Sequence, residues 1–164
     1  MNFTYFHIRY ELLYNYRNDV QFVCRNLTPK LTKLSLAGCR DNLDNCDVKE
    51  LVTKCNRLQV LDLSDAKQID DLAVTYITQH LSSTLRKLSL SRCFDIHPAQ
   101  LVSLNAMKEL KYLNVFGLLI PDKVEVLKKR LPRLSINDDP LCYIGKSNFY
   151  FRISLPDGVW LYFS

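Results

Sequence analysis

The frame Leu-x-x-Leu-x-Leu recurs five times along this chain, and a chain built on such a unit has few folds open to it. It reads Leu31, Leu34, Leu36, then Leu58, Leu61, Leu63, then Leu85, Leu88, Leu90. Two looser copies follow at Leu110, Leu113, Val115 and at Leu131, Leu134, Ile136. The starts are 27, 27, 25 and 21 residues apart, with the same internal spacing each time. The alternation inside each frame is that of a short strand. One such unit has no second layer against which to bury its leucines, whereas stacked units bury them continuously.

Between the frames the apolar period becomes helical. Val48, Leu51, Val52 and Cys55 fall at i, i+3, i+4 and i+7, and Ile69, Leu72, Tyr76 and Ile77 form a similar stripe. Leu101 with Leu104 and Val124 with Leu127 continue it. Asp47 and Asp71 stand where helix-capping carboxylates are expected, and Pro98 and Pro121 suit a first helical turn. The predicted fold is therefore α/β, a leucine-rich-repeat solenoid of four to five repeats. Its curved parallel sheet lies inside and its helices outside.

Residues 31–137 carry this solenoid. Residues 1–30 read as a degenerate N-terminal half-repeat. There Val20, Val23, Cys24 and Leu27 anticipate the next helical stripe by 28 residues, and Phe3, Phe6 and Ile8 fit a worn strand. With its aromatics and few charges this end is expected either to self-associate through unpaired strand groups or to fold over the exposed core as an improvised cap. Residues 138–164 form an aromatic C-terminal tail expected to pack on the last repeats. Phe149 to Leu155 alternates like a strand, and Pro156-Asp157-Gly158 reads as a turn before a second one.

Several function classes fall away. The 22 basic and 17 acidic residues leave a net charge of +5. The cations are scattered except at Lys128-Lys129-Arg130, a solvated helix face, so no nucleic-acid partner is expected. No run reaches the ~18 apolar residues of a membrane span, and Met1 to Tyr10 lacks the pattern of an export signal. The six cysteines are thus expected as thiols. Cys39, Cys46 and Cys55 have no zinc-ligand spacing, so neither metal nor cofactor is expected. Cys39 and Cys93 occupy the place where these repeats put Asn or Cys, a buried weak donor facing backbone carbonyls. His7, His80 and His97 adjoin no nucleophile in a catalytic motif, and the four glycines form no phosphate loop. The chain reads as a binding protein and not as an enzyme.

The residues between the leucines point to the sheet face away from the helices. Two columns are expected there in the open: Ser35, Asp62, Ser89, Asn114, Ser135, and Ala37, Ser64, Ser91, Phe116. Beyond them come Gly38, Asp65, Arg92 and Gly117, and at the strand exits Arg40, Lys67 and Phe94. A hydroxyl-rich floor with a charged row of Arg40, Asp65 and Arg92, beside exposed Phe94 and Phe116, suits a protein or peptide partner.

The segments Leu61-Asp62-Leu63-Ser64-Asp65, Leu88-Ser89-Leu90-Ser91-Arg92-Cys93-Phe94-Asp95-Ile96 and Leu113-Asn114-Val115-Phe116-Gly117 add a family resemblance. With Pro121-Asp122 and Leu131-Pro132-x-Leu134-x-Ile136-Asn137, they resemble the leucine-rich-repeat half of the S-phase kinase-associated F-box family. The likeness covers roughly residues 20–137. It implies the substrate receptor of an SCF-type cullin-RING ubiquitin ligase, acting in the nucleus and cytoplasm. It further implies that the sheet face holds a cyclin-kinase-subunit adaptor and, with it, a phosphorylated cell-cycle inhibitor. Arg40, Asp65 and Arg92 match the family's charged contacts, read as sharing one offset after their strands. Phe94 stands where the family commonly has Tyr. The F-box, which docks to the ligase scaffold, has no counterpart in these residues, so the chain looks like a truncated member whose scaffold contact is missing.

Overall fold

The computed structural model describes residues 5–7, 17–138, 151–154 and 160–163. The sheet begins with β1 (Tyr5–His7), β2 (Lys33–Ser35), β3 (Val60–Asp62) and β4 (Lys87–Ser89). It ends with β5 (Tyr112–Asn114) and β6 (Ser135–Ile136), and its spatial order follows the chain. All neighbours are parallel, and Phe6, Leu34, Leu61, Leu88, Leu113 and Ile136 lie side by side across the sheet. The frames of β2 to β5 pair in the expected register, but the last copy is shifted by two residues, Ile136 and not Leu134 standing beside Leu113, and β1 adds a sixth strand whose Phe6 stands beside Leu34. A separate antiparallel pair, β7 (Phe151–Ser154) and β8 (Trp160–Phe163), falls in the tail. The rest of the tail and residues 8–16, on which the packing and self-association expectations fall, lie outside the described residues.

The second layer comprises α1 (Arg17–Asn26), α2 (Asn45–Lys54), α3 (Asp71–Leu81), a 3-10 helix (Gln100–Ala106) and α4 (Pro121–Arg130). The leucines of all five frames are buried between the layers with Val48, Leu51, Val52, Ile77 and Leu104. At about 25 cal/mol per Å² of apolar area, this continuous core is the main source of stability. The chain is an α/β leucine-rich-repeat solenoid with an open, not a closed, sheet.

Several local expectations need correction. The cap of α2 is Asp44, not Asp47. Asp44 Oδ1 accepts from the backbone of Cys46 and Asp47 at 2.8 and 3.1 Å, and Asp47 Oδ2 accepts from Asp44 N at 3.1 Å, a reciprocal capping box. The cap of α3 is Asp70, which accepts from Leu72 N, whereas Asp71 turns to the neighbouring unit and accepts from His97 N at 2.7 Å. Leu72 points outward and is half exposed, its core place taken by Ala73 and Val74. Pro121 does open α4, but Pro98 precedes the helix of its unit, which starts at Gln100 and is 3-10 throughout. The shortened intervals leave that unit less chain, and three residues per turn cover the same rise with fewer residues.

Charge is sorted along the strand direction. The turns leading from helices into strands carry Lys30, Arg57, Arg86, Lys108 and Arg133, with Lys128-Lys129-Arg130 in the last turn of α4. The turns leaving the strands, and the first helical turns, carry Asp41, Asp44, Asp70, Asp71, Asp95 and Asp122. Cations at helix C-termini and anions at N-termini each relieve the helix dipole.

Candidate protein-binding site

The turn after each strand repeats one backbone event. Gly38, Asp65, Arg92 and Gly117, each two residues past the third residue of its frame, all adopt the left-handed conformation, with φ of 87°, 66°, 57° and 69°. Their amides extend the ladder beyond the strands: Gly38 N donates to Ser64 O, Asp65 N to Ser91 O and Arg92 N to Phe116 O, at 2.8, 2.9 and 2.9 Å. Glycine adopts this conformation without penalty, and Asp tolerates it better than most residues. Arg does not, so its presence in this row calls for a compensating contact.

Asp65 supplies that contact. Arg92 Nε donates to Asp65 Oδ1 at 2.5 Å and Nη2 to Oδ2 at 2.6 Å, a two-pronged pair across neighbouring turns. These hydrogen bonds push the Arg92 guanidinium pKa further up, against its partial burial. The arginine stem lies over Gly117, where an added Cβ would stand 2.9 Å from Arg92 Cγ. Gly117 is therefore needed twice, for its positive φ and for the space its missing side chain leaves. The pair remains accessible, with side-chain exposures of 51% for Arg92 and 30% for Asp65. Phe116, whose carbonyl receives the Arg92 amide, is 45% exposed, and Phe94, two residues beyond Arg92, is 64% exposed.

Arg40 departs from the expected row. It lies four residues past Leu36, in the short 3-10 turn Arg40–Asn42, while the position equivalent to Asp65 and Arg92 is Gly38. Its neighbour on the next turn is Lys67, whose amide donates to Arg40 O at 2.9 Å and whose Nζ lies 3.5 Å from Asp41. Arg40, Lys67 and Phe94 thus make a second row outside the first. Arg40 is exposed in this outer row.

The floor is also different from expectation. Ser35, Asp62, Ser89, Asn114, Ser64 and Ser91 are buried. The short side chains of Asp62, Ser64, Ser89 and Ser91 bond along the sheet. Asp62 Oδ1 accepts from Ser64 N at 3.0 Å and from Ser64 Oγ at 2.6 Å, and Ser64 Oγ meets Ser89 Oγ at 2.8 Å. Burial pushes the Asp62 carboxyl pKa up against the hydrogen bonds from Ser64. The thiols are placed as expected of this repeat: Cys93 Sγ faces Leu63 O at 3.2 Å and Cys55 Sγ faces Thr28 O at 3.4 Å. Burial pushes the Cys39 and Cys93 thiols up to about 12 and the Cys55 thiol to about 11. Among the described residues no group of three or more His, Cys, Asp or Glu is placed to hold a metal, and no helix is long and apolar enough to cross a membrane.

The last turn ends the ladder with a side chain. Asn137, also left-handed at φ 61°, donates its amide to Leu113 O and offers Oδ1 to Val115 N at 2.8 Å, where earlier turns use the next strand's carbonyl. The family model of the SKP2 LRR domain matches residues 14–154. The chain belongs to the SKP2 LRR domain family. As such it is a protein-binding leucine-rich-repeat module. A solved structure, that of the Rad7 and Elc1 complex in yeast, contains a chain similar to this one. The two are 18% identical with a TM-score of 0.50, over 65% of this chain and 27% of that one. At that identity the likeness speaks for the solenoid fold alone, and this chain spans about a quarter of the yeast chain's length.

Proposed function

We propose that this chain is the recognition part of an SCF-type ubiquitin-ligase receptor. In this reading it binds a cyclin-kinase-subunit adaptor, and with it a phosphorylated cell-cycle inhibitor, and does no catalysis of its own. It acts in the nucleus and cytoplasm, and its ligase scaffold is reached through an F-box. The observation that carries the reading is the Arg92–Asp65 pair, half exposed and bordered by the open rings of Phe94 and Phe116. Aromatic side chains beside an arginine are the residues on which interface energy concentrates. A pair already joined at both nitrogens meets a partner with little further loss of side-chain freedom. Family membership supports the partner class, and the burial of Cys24, Cys39, Cys55 and Cys93 speaks against those four thiols as nucleophiles.

The test is calorimetric titration with a purified cyclin-kinase-subunit protein, using the wild-type chain and Arg92→Ala. Saturable binding, weakened at least about tenfold by the substitution, is the expected result. No binding, or equal binding by both chains, would leave a repeat segment with a purely structural or assembly role.

A further inference from the structure

The helix layer is incomplete between the last two helical segments, and the gap has a definite chemistry. Whereas α2 and α3 bury several apolar side chains each, α4 buries only Leu127, leaving Val126 at 56% exposure and the preceding Ile120 at 62%. The 3-10 helix beside it turns Leu101 and Leu104 into the core and leaves Val102 half-buried on its flank. Between them runs a groove of ≈ 520 Å³ with Val102, Leu119, Val126 and Leu127 in its walls.

Its cations are placed at both ends of the apolar stretch. Lys123, Val126, Leu127 and Arg130 all line the groove and fall at i, i+3, i+4 and i+7 of α4. The two basic residues therefore stand about 10 Å apart along the helix axis with the apolar pair between them. Among the described residues neither has an ion-pair partner, although Lys128 on the same helix takes Glu125 at 3.3 Å. A solvated helix face has no need of an apolar stretch at its centre, and a core helix has no need of cations at both ends of its stripe.

We propose that this groove is a second docking site, which takes an extended acidic segment of a partner protein. The segment inserts one apolar side chain over Val126 and Leu127 and sets a carboxylate against each of Lys123 and Arg130. In an extended chain alternate side groups share a face, so three of them in succession on one face span about 13 Å, a spacing the long Lys123 and Arg130 side chains can meet. The motif is thus acidic-x-apolar-x-acidic, with the aliphatic or aromatic residue midway between the two acids. The groove shares no residue with the Asp65–Arg92 site, so the two can be occupied by different segments.

The experiment pans a displayed library of random dodecapeptides on the full chain and measures the enriched peptides by fluorescence anisotropy. Enrichment of clones carrying that motif is expected. Their affinity should fall at least about tenfold with Val126→Glu, and likewise with Lys123→Glu combined with Arg130→Glu, at moderate salt. Arg92→Ala should leave it unchanged. Because the three substituted side chains are exposed, melting curves of the variants should overlay the wild type. Enriched clones without paired acids, or clones indifferent to Val126→Glu, would overturn the proposal. So would a labelled single-stranded oligonucleotide that displaces the peptides and depends on the two cations but not on Val126, since the groove would then be a polyanion site.

Discussion

Both donors of Arg92 that face Asp65 lie 2.5 and 2.6 Å from its two carboxylate oxygens, and both residues sit in left-handed turns whose counterparts on either side are glycines. The backbone of these turns repeats from unit to unit; the side chains do not. Two repeats have placed charged groups where the others keep none, and each charge faces the other. A left-handed arginine costs on the order of 1–2 kcal/mol against glycine, more than an exposed ion pair usually returns. The pair thus offsets part of the cost but not all of it, and the uncompensated remainder is the physical case for a role in binding.

Asp65→Asn separates the two roles. Asn tolerates the left-handed turn and removes only the charge, so stability should fall by about 1 kcal/mol or less, within about 2–4 °C of melting temperature. Adaptor affinity, measured by calorimetry, should fall at least about tenfold. A large loss of melting temperature with unchanged affinity would make the pair structural.

Gly117→Ala acts on the same pair from below. It forces Ala into a positive φ and puts a Cβ 2.9 Å from the Arg92 stem. The expected loss is about 1–2 kcal/mol, seen as a lower urea midpoint, together with weaker adaptor binding as Arg92 is displaced. In an Asp65→Asn background the binding part of the effect should shrink, because the pair that Gly117 seats is already broken.

The leucine frame made the sheet legible, and its register from β2 to β5, because the period of side chains along a strand is fixed by the backbone; at β6 the frame put Leu134 beside Leu113, where Ile136 stands. Alternation tells which face a side chain joins but not how deep that face lies, so the column of Ser35, Asp62 and Ser89 was expected in the open and is buried. Capping was misplaced because the aspartates come in near neighbours, Asp44 with Asp47 and Asp70 with Asp71, and only the first of each has the extended backbone of a cap. Arg40 was grouped with Asp65 and Arg92 by charge, whereas backbone position groups Gly38 with them. That grouping was legible: Gly38 and Gly117 share the offset of Asp65 and Arg92 and signal the left-handed turn. The groove beside α4 was not, since it arises where shortened units fail to cover one another.

The buried thiols predict a stability that declines on the alkaline side. Cys39 and Cys93 are raised from 9.0 to about 12, and Cys24 further still, first of all by burial. A raised folded-state pKa means the contribution is complete below about 9 and is lost as pH rises toward about 12, because the unfolded chain gives up its protons first. Each such thiol steepens the decline by up to about 1.4 kcal/mol per pH unit in that window. Urea midpoints should fall from about pH 8 to about pH 10, and Cys93→Ala should reduce the slope. A flat profile over this range would contradict the burial of these groups.

Asp62→Asn should stabilise the protein at neutral pH. The carboxyl is buried and its pKa raised, so its contribution favours folding below the unfolded value and is lost as pH rises through the folded one. Above the unfolded value the carboxyl therefore opposes folding, whether by burying its charge or by having to take up a proton. Asn offers the same acceptor to Ser64 without the charge, and the expected gain is about 1–2 kcal/mol. Denaturation at neutral and mildly acidic pH checks both points, for the variant should also lose part of the wild type's gain on acidification. A lower midpoint at both pH values would show that Ser64 and Ser89 require a carboxylate.

The excess of lysines and arginines at one edge of the solenoid, and of aspartates over Arg40, Lys67, Arg92 and Lys123 at the other, gives the molecule a polarity along its strands. Such a charge dipole exerts a torque on approaching ions and orients an encounter before any contact is made, over the last ~8 Å at physiological ionic strength. The Asp65–Arg92 pair lies on the aspartate edge. A phosphorylated segment arriving there unaided meets Asp41, Asp44, Asp70 and Asp95 in excess over Arg40 and Lys67, which slows its approach to Arg92. A small basic protein seated on that edge would reverse the local field. Under the proposed function, an adaptor with a basic face would contribute first through that field, by offsetting the excess of aspartates, and recognition of the modified substrate would become conditional on a second protein being in place.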